Sequence, residues 1–258
     1  MFIKNTNLLS QVSDPKPYGQ MLKFDRLDST NNYAMRLIDA DKAVHGLTIL
    51  AERQSAGKGQ RGRIWSDTPG ESLLMSIILK PRYHLQEQAL FLAAIAVVVA
   101  DEIQELVGDQ EVRIKWPNDI LIGDKKAGGI LIENTVRGMT WHWSVVGIGL
   151  NVGQEALPEG LKNATSLRVV IGHHFDIETL AGMIRSRLLQ RLSASNWDVL
   201  AEYNDRLYRM GKEQAFSQEE NGWTAVVCGV NAQGQLMVRL SDGSTREYTH
   251  GEVDWVWG

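Results

Sequence analysis

Gln54-Ser55-Ala56-Gly57-Lys58-Gly59-Gln60-Arg61-Gly62-Arg63, followed by Trp65-Ser66-Asp67-Thr68-Pro69-Gly70 and then the apolar run Leu73 to Lys80, is the stretch on which the fold class turns. Its closely spaced glycines let backbone N–H groups converge on an anion, and Lys58, Arg61 and Arg63 add full positive charges beside them. Gly57, Gly59 and Gly62 also satisfy G-x-G-x-x-G, the spacing of dinucleotide-binding loops. That fingerprint requires a helix to begin within the glycines, whereas here a polar, proline-bearing turn leads into a strand. A Walker phosphate loop fails too, because no Gly-Lys-Ser/Thr stands at the required place. From this segment alone the competing reading is a flexible basic surface loop.

Outward from the loop, the chain reads as α+β. Leu47–Ala51, Leu73–Lys80, Val112–Trp116, Ile120–Ile122, Ile130–Glu133 and Trp141–Gly147 are short, apolar and bounded by Gly, Pro, Asn or Asp, as strands are. Their connections are mostly too short for helical crossovers, which predicts a mixed, largely antiparallel sheet with flanking helices. The helices are expected after Asp28 or Ser29 as cap, around Phe91–Val107, and from Asp176, where Ile177, Leu180, Ile184, Leu188 and Leu192 recur at helical spacing. Residues 1–27, with Pro15, Pro17 and Gly19, read as a lead-in, and residues 28–210 as the main domain. In 211–258 the strands Trp223–Val230, Gln235–Leu240 and Thr245–Tyr248 alternate with hairpin turns, which predicts a separable small β-barrel that leaves the anion site to the main domain.

Composition narrows the function. Lys and Arg number 27 against 31 acids, a formal charge of −4, so no overall positive field points to DNA or a membrane surface and any anion site must be local. The longest apolar run, Ala89 to Ala100, falls well short of the roughly 20 residues of a membrane span. With the single Cys228 and no signal-peptide pattern after Met1, the expected compartment is the cytoplasm. The six histidines, including His173-His174, lack metal-ligand spacing, and no Ser/His or Cys/His arrangement suggests a nucleophile.

Three further clusters stand out. Lys115-Trp116-Pro117-Asn118-Asp119 ends a strand at a proline, and Lys126, with Gly128-Gly129 soon after, returns beside Asp119 across a hairpin. Gly147-Ile148-Gly149-Leu150-Asn151 ends a strand in small residues over which a flat ligand can lie, with an amide able to meet a base edge. Asp28-Ser29-Thr30-Asn31 suits both a helix cap and a hydroxyl-bearing ligand site. Taken singly, Lys126 also fits a solvated hairpin lysine and Gly149 a bulge.

In this order, Asp28–Asn31, Gln54–Arg63 with Trp65, Lys115–Asp119, Lys126 with Gly129, and Gly147–Asn151 resemble the catalytic domain of bacterial biotin protein ligases. The resemblance implies a class II synthetase-like fold with a small Src-homology-3-like barrel, and adenylation of biotin by ATP with Mg²⁺. The product is then used to modify a lysine of the biotin carboxyl carrier domain of acetyl-CoA carboxylase. It places biotin at Ser29, Thr30, Asn31, Gln54, Gly57 and Gly129. ATP and the adenylate fall at Lys58, Gly59, Gln60, Arg61, Arg63, Trp65, Lys126 and Asn151, and catalysis to Lys126, Arg63, Lys115 and Asp119, with no protein-held metal. Lys58 and Gln60 depart from the arginines common in the family's loop; the first keeps its charge without the planar fork, the second loses it. A lipoate-type ligase would share fold and chemistry, and a dinucleotide-dependent oxidoreductase would use the glycines. Some relatives add an N-terminal DNA-binding domain; with only residues 1–27 ahead of Asp28, a form lacking that domain and not binding DNA is expected. A homodimer stays open.

Overall fold

The computed structural model describes residues 20–157, 163–194, 197–218 and 221–257. Its main sheet contains β1 (Met21–Phe24), β2 (Thr48–Ala51), β3 (Ser72–Leu79), β4 (Val112–Lys115), β5 (Asp119–Ile122), β6 (Lys125–Arg137) and β7 (Thr140–Asn151). Their spatial order is β1-β2-β3-β7-β6-β5-β4, antiparallel throughout except for the β1–β2 pair. The exception has a cause, since helix α1 (Thr30–Asp39) carries the chain from β1 back to the start of β2, a crossover that parallel pairing requires. From β4 to β7 the connections are tight turns and the pairs are hairpins.

The sheet begins earlier than the sequence suggests. Met21–Phe24, within the stretch read as a lead-in, forms an edge strand; its four residues alternate only between exposed and half-buried, too weak a pattern to register as a strand. Pro15, Pro17 and Gly19 lie outside the described residues. The helix expected around Phe91–Val107 is α2 (Gln88–Val107), and the one expected after Asp176 is α4 (Ile177–Arg191). Two short helices, α3 (Leu167–Ile171) and α5 (Val199–Asp205), have no counterpart in the periodicity.

Strand β3 shows how the layers divide. Leu73, Met75, Ile77 and Leu79 pack into the core formed with α2 and α4, while Ile78 joins the smaller cluster under α1 with Ile49 and Val145. Both faces are covered, so the strand reads as a nearly continuous apolar run and not as an alternation.

A second, antiparallel sheet follows, built from β8 (Glu213–Gln218), β9 (Asn221–Val230), β10 (Leu236–Arg239), β11 (Thr245–Tyr248) and β12 (Asp254–Trp255) in the order β11-β10-β9-β8-β12. Phe216, Val227, Leu236, Val238 and Trp255 belong to the same buried cluster as α2 and the main sheet. Asn204, at the end of α5, also clips the end of β9, donating to the Val230 carbonyl (3.1 Å) and accepting from its amide (2.7 Å). Position 211 therefore separates two sheets that share one core.

One buried charge ties α2 to α4. Glu102 is 3% exposed and accepts from Arg187 Nε at 2.7 Å, and burial raises its pKa above the usual carboxylate range. Arg187→Met would leave that carboxylate uncompensated, and urea unfolding at pH 7 is expected to show a loss of about 3–5 kcal/mol. For a carboxyl whose folded pKa lies above the unfolded value, the penalty is present at high pH and is relieved as pH falls through the folded pKa. The deficit of the variant should therefore shrink on acidification; a pH-independent deficit would assign it to lost packing.

Candidate active site

The site is laid out along one ladder row. Leu74, Gly149, Gly129, Asp119 and Lys115 are direct partners across β3, β7, β6, β5 and β4. Directly paired residues share a face of the sheet, so with glycine on the two central strands the floor between Leu74 and Asp119 is bare backbone. The adjacent row on that face, Ser76, Gly147 and Leu131, again has glycine on β7. Both glycines are occupied from above. A β-carbon at Gly149 would lie 2.6 Å from the Trp65 indole, and one at Gly147 would lie 2.4 Å from Asn31 Oδ1.

At one end of the floor stands the start of α1. Ser29 occupies the N-cap position in extended geometry, but its side chain makes no capping bond, and Asp28 is engaged by Arg36 and Asn32. The first helical amide, Thr30 N–H, is instead satisfied by Gln54 Oε1 at 2.7 Å, from the segment leading into the glycine loop. The expected cap is thus supplied from a distant strand end, and Ser29 is left to line the cleft. Beneath it, the buried Ser76 hydroxyl lies 2.7 Å from Thr30 Oγ1 and 2.6 Å from Asn31 Oδ1. Asn31 Nδ2 donates to Glu133 Oε2 at 2.7 Å, and Glu133 Oε1 accepts from Lys58 Nζ at 3.2 Å. This chain of polar contacts runs from the sheet into the loop.

The glycine loop folds on itself. Gly59 N–H donates to Arg63 O (2.7 Å), Arg63 N–H to Gln60 O (3.1 Å) and Trp65 N–H to Gly57 O (3.1 Å). The Gly59 and Arg63 amides of the expected anion loop are therefore used within it, as is the Trp65 amide just beyond. Arg61 (φ 55°) and Gly62 (φ 75°) turn the chain in the left-handed region, and a β-carbon on Gly57 would meet the Trp65 carbonyl at 2.5 Å. Gly57 thus acts behind the loop and does not line the cleft.

The opposite wall is the β4–β5–β6 hairpin pair. Asp119 faces two ammonium groups, Lys126 Nζ at 2.6 Å from Oδ1 and Lys115 Nζ at 3.8 Å from Oδ2. The Trp116–Pro117 peptide between β4 and β5 is cis. Asn118 clips β5 to β6, donating from Nδ2 to Ile130 O at 2.6 Å and accepting the Ile130 amide at 3.1 Å on its own carbonyl. Burial pulls the Lys115 pKa below its ordinary value, an effect the neighbouring Asp119 carboxylate opposes and the Lys126 and Arg63 charges reinforce.

A third wall comes from the second sheet. His250, Val253, Asp254 and Trp255 line the cleft, and Arg63 Nη2 lies 3.9 Å from Asp254 Oδ1. Gly251 (φ 98°) lies directly against Arg61, whose guanidinium carbon would be 2.4 Å from a β-carbon there. The C-terminal barrel was expected to leave the anion site to the main domain, and its residues stand in the wall of this cleft.

The walls border an open cleft whose lining carries Lys58, Arg61, Arg63, Lys115 and Lys126 against the carboxylates of Asp119 and Asp254. A chain of net charge −4 thus concentrates positive charge in one place. Ser29, Thr30, Asn31, Gln54, Lys58, Gly59, Gln60, Arg61, Arg63, Trp65, Lys115, Asp119, Lys126 and Gly129 all meet there. Asn151 does not. It is buried, and its amide donates to Thr165 O at 3.0 Å, tying the end of β7 to a neighbouring segment. Sequence reasoning missed Ser76, Glu133 and the 250–255 wall. A lone serine inside the apolar run Leu73–Leu79 was a signal, because a buried hydroxyl needs a partner. Among the described residues no group of three His, Cys, Asp or Glu is placed to hold a metal.

The biotin/lipoate A/B protein ligase family model matches residues 23–151. The bifunctional ligase/repressor BirA of Bacillus subtilis (strain 168) is 41% identical over 177 residues, 66% of this chain and 52% of that protein, so the chain spans about half the length of that curated relative. A biotin–[acetyl-CoA-carboxylase] ligase of Paracoccus denitrificans is 32% identical over 168 residues, 62% of this chain and 67% of the relative. The biotin protein ligase of Aquifex aeolicus, solved in complex with biotin and ATP, superposes with a TM-score of 0.76 at 24% identity, covering 92% of this chain and 99% of that one. At that identity the likeness is one of fold.

The floor itself can be tested without a ligand. Gly147→Ala forces a β-carbon into the Asn31 amide and is expected to cost about 1–3 kcal/mol in chemical denaturation, the usual range for overpacking. Asn31→Ala removes the obstacle, so the double variant should be clearly more stable than the two separate losses predict. Simple additivity would mean that the strain lies elsewhere.

Proposed function

The chain belongs to the biotin/lipoate A/B protein ligase family, and from that premise we propose that it activates biotin with ATP as biotinyl-5′-adenylate and transfers biotin to one lysine of a biotin carboxyl carrier domain, that of acetyl-CoA carboxylase. The observation that carries this reading is the single cleft in which a polar, hydroxyl-lined end at Ser29–Asn31 opens onto a cationic centre at Lys126 and Lys115. The first step joins two anions. The biotin carboxylate attacks the α-phosphorus, the α–β phosphoanhydride breaks and pyrophosphate leaves, so stabilisation must come from positive charge at the α-phosphate and the leaving group. Lys126 and Arg63 are assigned that role, with Asp119 as the resting partner of Lys126 and Lys115 as the second cation on that carboxylate. Ser29, Thr30, Asn31 and Gln54 are assigned to biotin beside the backbone of Gly129, and Trp65 to the nucleotide base. Mg²⁺ is proposed to arrive as the counter-ion of ATP, since the central carboxylate, Asp119, already faces two lysines.

In the second step the neutral amine of the carrier lysine attacks the acyl carbon, AMP departs with the bonding pair, and the amine gives up a proton. The mixed anhydride is labile in water, which gives the glycine loop a protective task over it. The proposed compartment is the cytoplasm, on the strength of the single Cys228. Among the described residues no helix is long and apolar enough to cross a membrane.

Biotin-dependent exchange of labelled pyrophosphate into ATP, with lipoate as the parallel substrate, tests the reading. Exchange with biotin is expected. Exchange with lipoate alone would move the chain to the other branch of its family, and NADH or NADPH binding with neither acid active would favour the oxidoreductase. Lys126→Ala should lower the exchange rate by more than tenfold, at least about 1.4 kcal/mol of transition-state stabilisation, with the fold retained by circular dichroism. An unchanged rate would return Lys126 to the status of a solvated hairpin lysine.

A further inference from the structure

Lys115 sits on the edge strand β4, yet its side chain is only 14% exposed. Asp119 lies 3.8 Å away, beyond hydrogen-bond reach, and the other oxygen of that carboxylate is held at 2.6 Å by Lys126. Water is largely excluded, and what replaces it is aromatic. The Lys115 ammonium lies 5.6 Å from the centre of the Trp255 ring and 5.2 Å from that of Trp257, within the range where a ring quadrupole attracts a cation, and tryptophan provides the strongest such face. The rings are themselves fixed. Tyr208 packs against both at 6.0 and 6.3 Å, Phe216 meets Trp255 edge-on at 5.2 Å, and the Tyr208 hydroxyl donates to Asp124 in the turn between β5 and β6 at 2.8 Å. The cage is thus anchored to the hairpin that carries Asp119 and Lys126.

We propose, building on the adenylation reading above, that Trp255 and Trp257 are positioning residues that keep Lys115 as the standing counter-ion of Asp119, so that Lys126 is free to turn to an incoming phosphate. The logic is electrostatic. If Lys126 were the only partner of Asp119, its move to an anion would strand a carboxylate that is 17% exposed, and the loss would oppose binding. With Lys115 held in place, the carboxylate stays compensated. Lys126, whose side chain is 35% exposed, is the less enclosed of the two lysines. The strength of the anion site is therefore set in part from the end of the chain, through Trp255, which lines the cleft, and Trp257, which stands behind it.

The test compares Trp257→Leu, which keeps apolar bulk but no ring, with Trp257→Phe, which keeps a ring face, each in the full chain with and without Lys115→Met. Two readouts are taken: biotin-dependent pyrophosphate–ATP exchange, and calorimetric binding of inorganic pyrophosphate alone. Trp257→Leu is expected to weaken both by about tenfold, a change of about 1.4 kcal/mol, with Trp257→Phe recovering most of the loss. On the Lys115→Met background, Trp257→Leu should add nothing. An equal loss on both backgrounds would make Trp257 merely structural, and full activity of Trp257→Leu would overturn the proposal outright. A wild-type protein without biotin-dependent exchange would sink the adenylation reading and with it the catalytic part of the proposal. The pyrophosphate arm would still decide whether the cage tunes the anion site.

Discussion

The absence of side chains at Gly129, Gly147 and Gly149 is the constraint around which the cleft is organised. Three central strands run antiparallel there, β3, β7 and β6, and all are buried on their far face by α2 and α4. Residues with side chains at those positions would fill the near face as well. Bare backbone instead admits the Asn31 amide onto Gly147 and the Trp65 indole onto Gly149. Everything above the floor follows from those two contacts. Asn31 fixes the start of α1 through Ser76 and Glu133, and Trp65 fixes the far end of the glycine loop. The loss of conformational entropy and packing that glycines bring to strands is offset by a sheet already sealed on its other side.

Charge is handled by a similar division of labour. The three hairpin residues Lys115, Asp119 and Lys126 place two cations on one carboxylate, leaving a local excess of one positive charge in a partly desolvated site. A buried ammonium is costly unless compensated, and here compensation comes from both Asp119 and the aromatic faces of the second sheet. A shared core makes this possible. Because Trp255 packs on Phe216 and Tyr208, and these belong to the same buried cluster as β4 and β5, the position of the cage is fixed relative to the hairpin.

Much of this was legible in the sequence, for identifiable reasons. The strand after the glycine loop, the turn at Pro117 and the return of Lys126 beside Asp119 are local features, set by proline, by short connections and by alternation, and the structure has them where they were expected. Register is not local. Nothing in the spelling of β3, β5, β6 and β7 says that Leu74, Gly149, Gly129 and Asp119 form one row, and that row determines which face holds the site. Asn151 illustrates the limit, since composition alone does not show that its amide bonds the Thr165 carbonyl, a contact set by the path of the chain after β7. The β1 strand and the 250–255 wall escaped for the complementary reason that their residues acquire meaning from partners far along the chain.

The glycine loop brings these threads together, because it is held to both of its neighbours. Lys58 is drawn to Glu133 on one side, whereas Arg61 lies on Gly251 and Arg63 faces Asp254 on the other. Gln60, the neutral residue between them, lines the cleft without a charge to contribute. An anion entering the cleft therefore competes with existing partners of unequal strength. Lys58 has a direct hydrogen bond to a half-buried carboxylate, while the Arg63–Asp254 pair, at 3.9 Å and with both side chains more than 70% exposed, is weakly held and screened by solvent. Arg63 is thus released at less cost than Lys58, and the C-terminal sheet is the wall from which it is released. The loop's grip on a phosphate then depends less on its backbone, where the Gly59 and Arg63 amides are internally bonded, than on how readily the second sheet gives up one arginine.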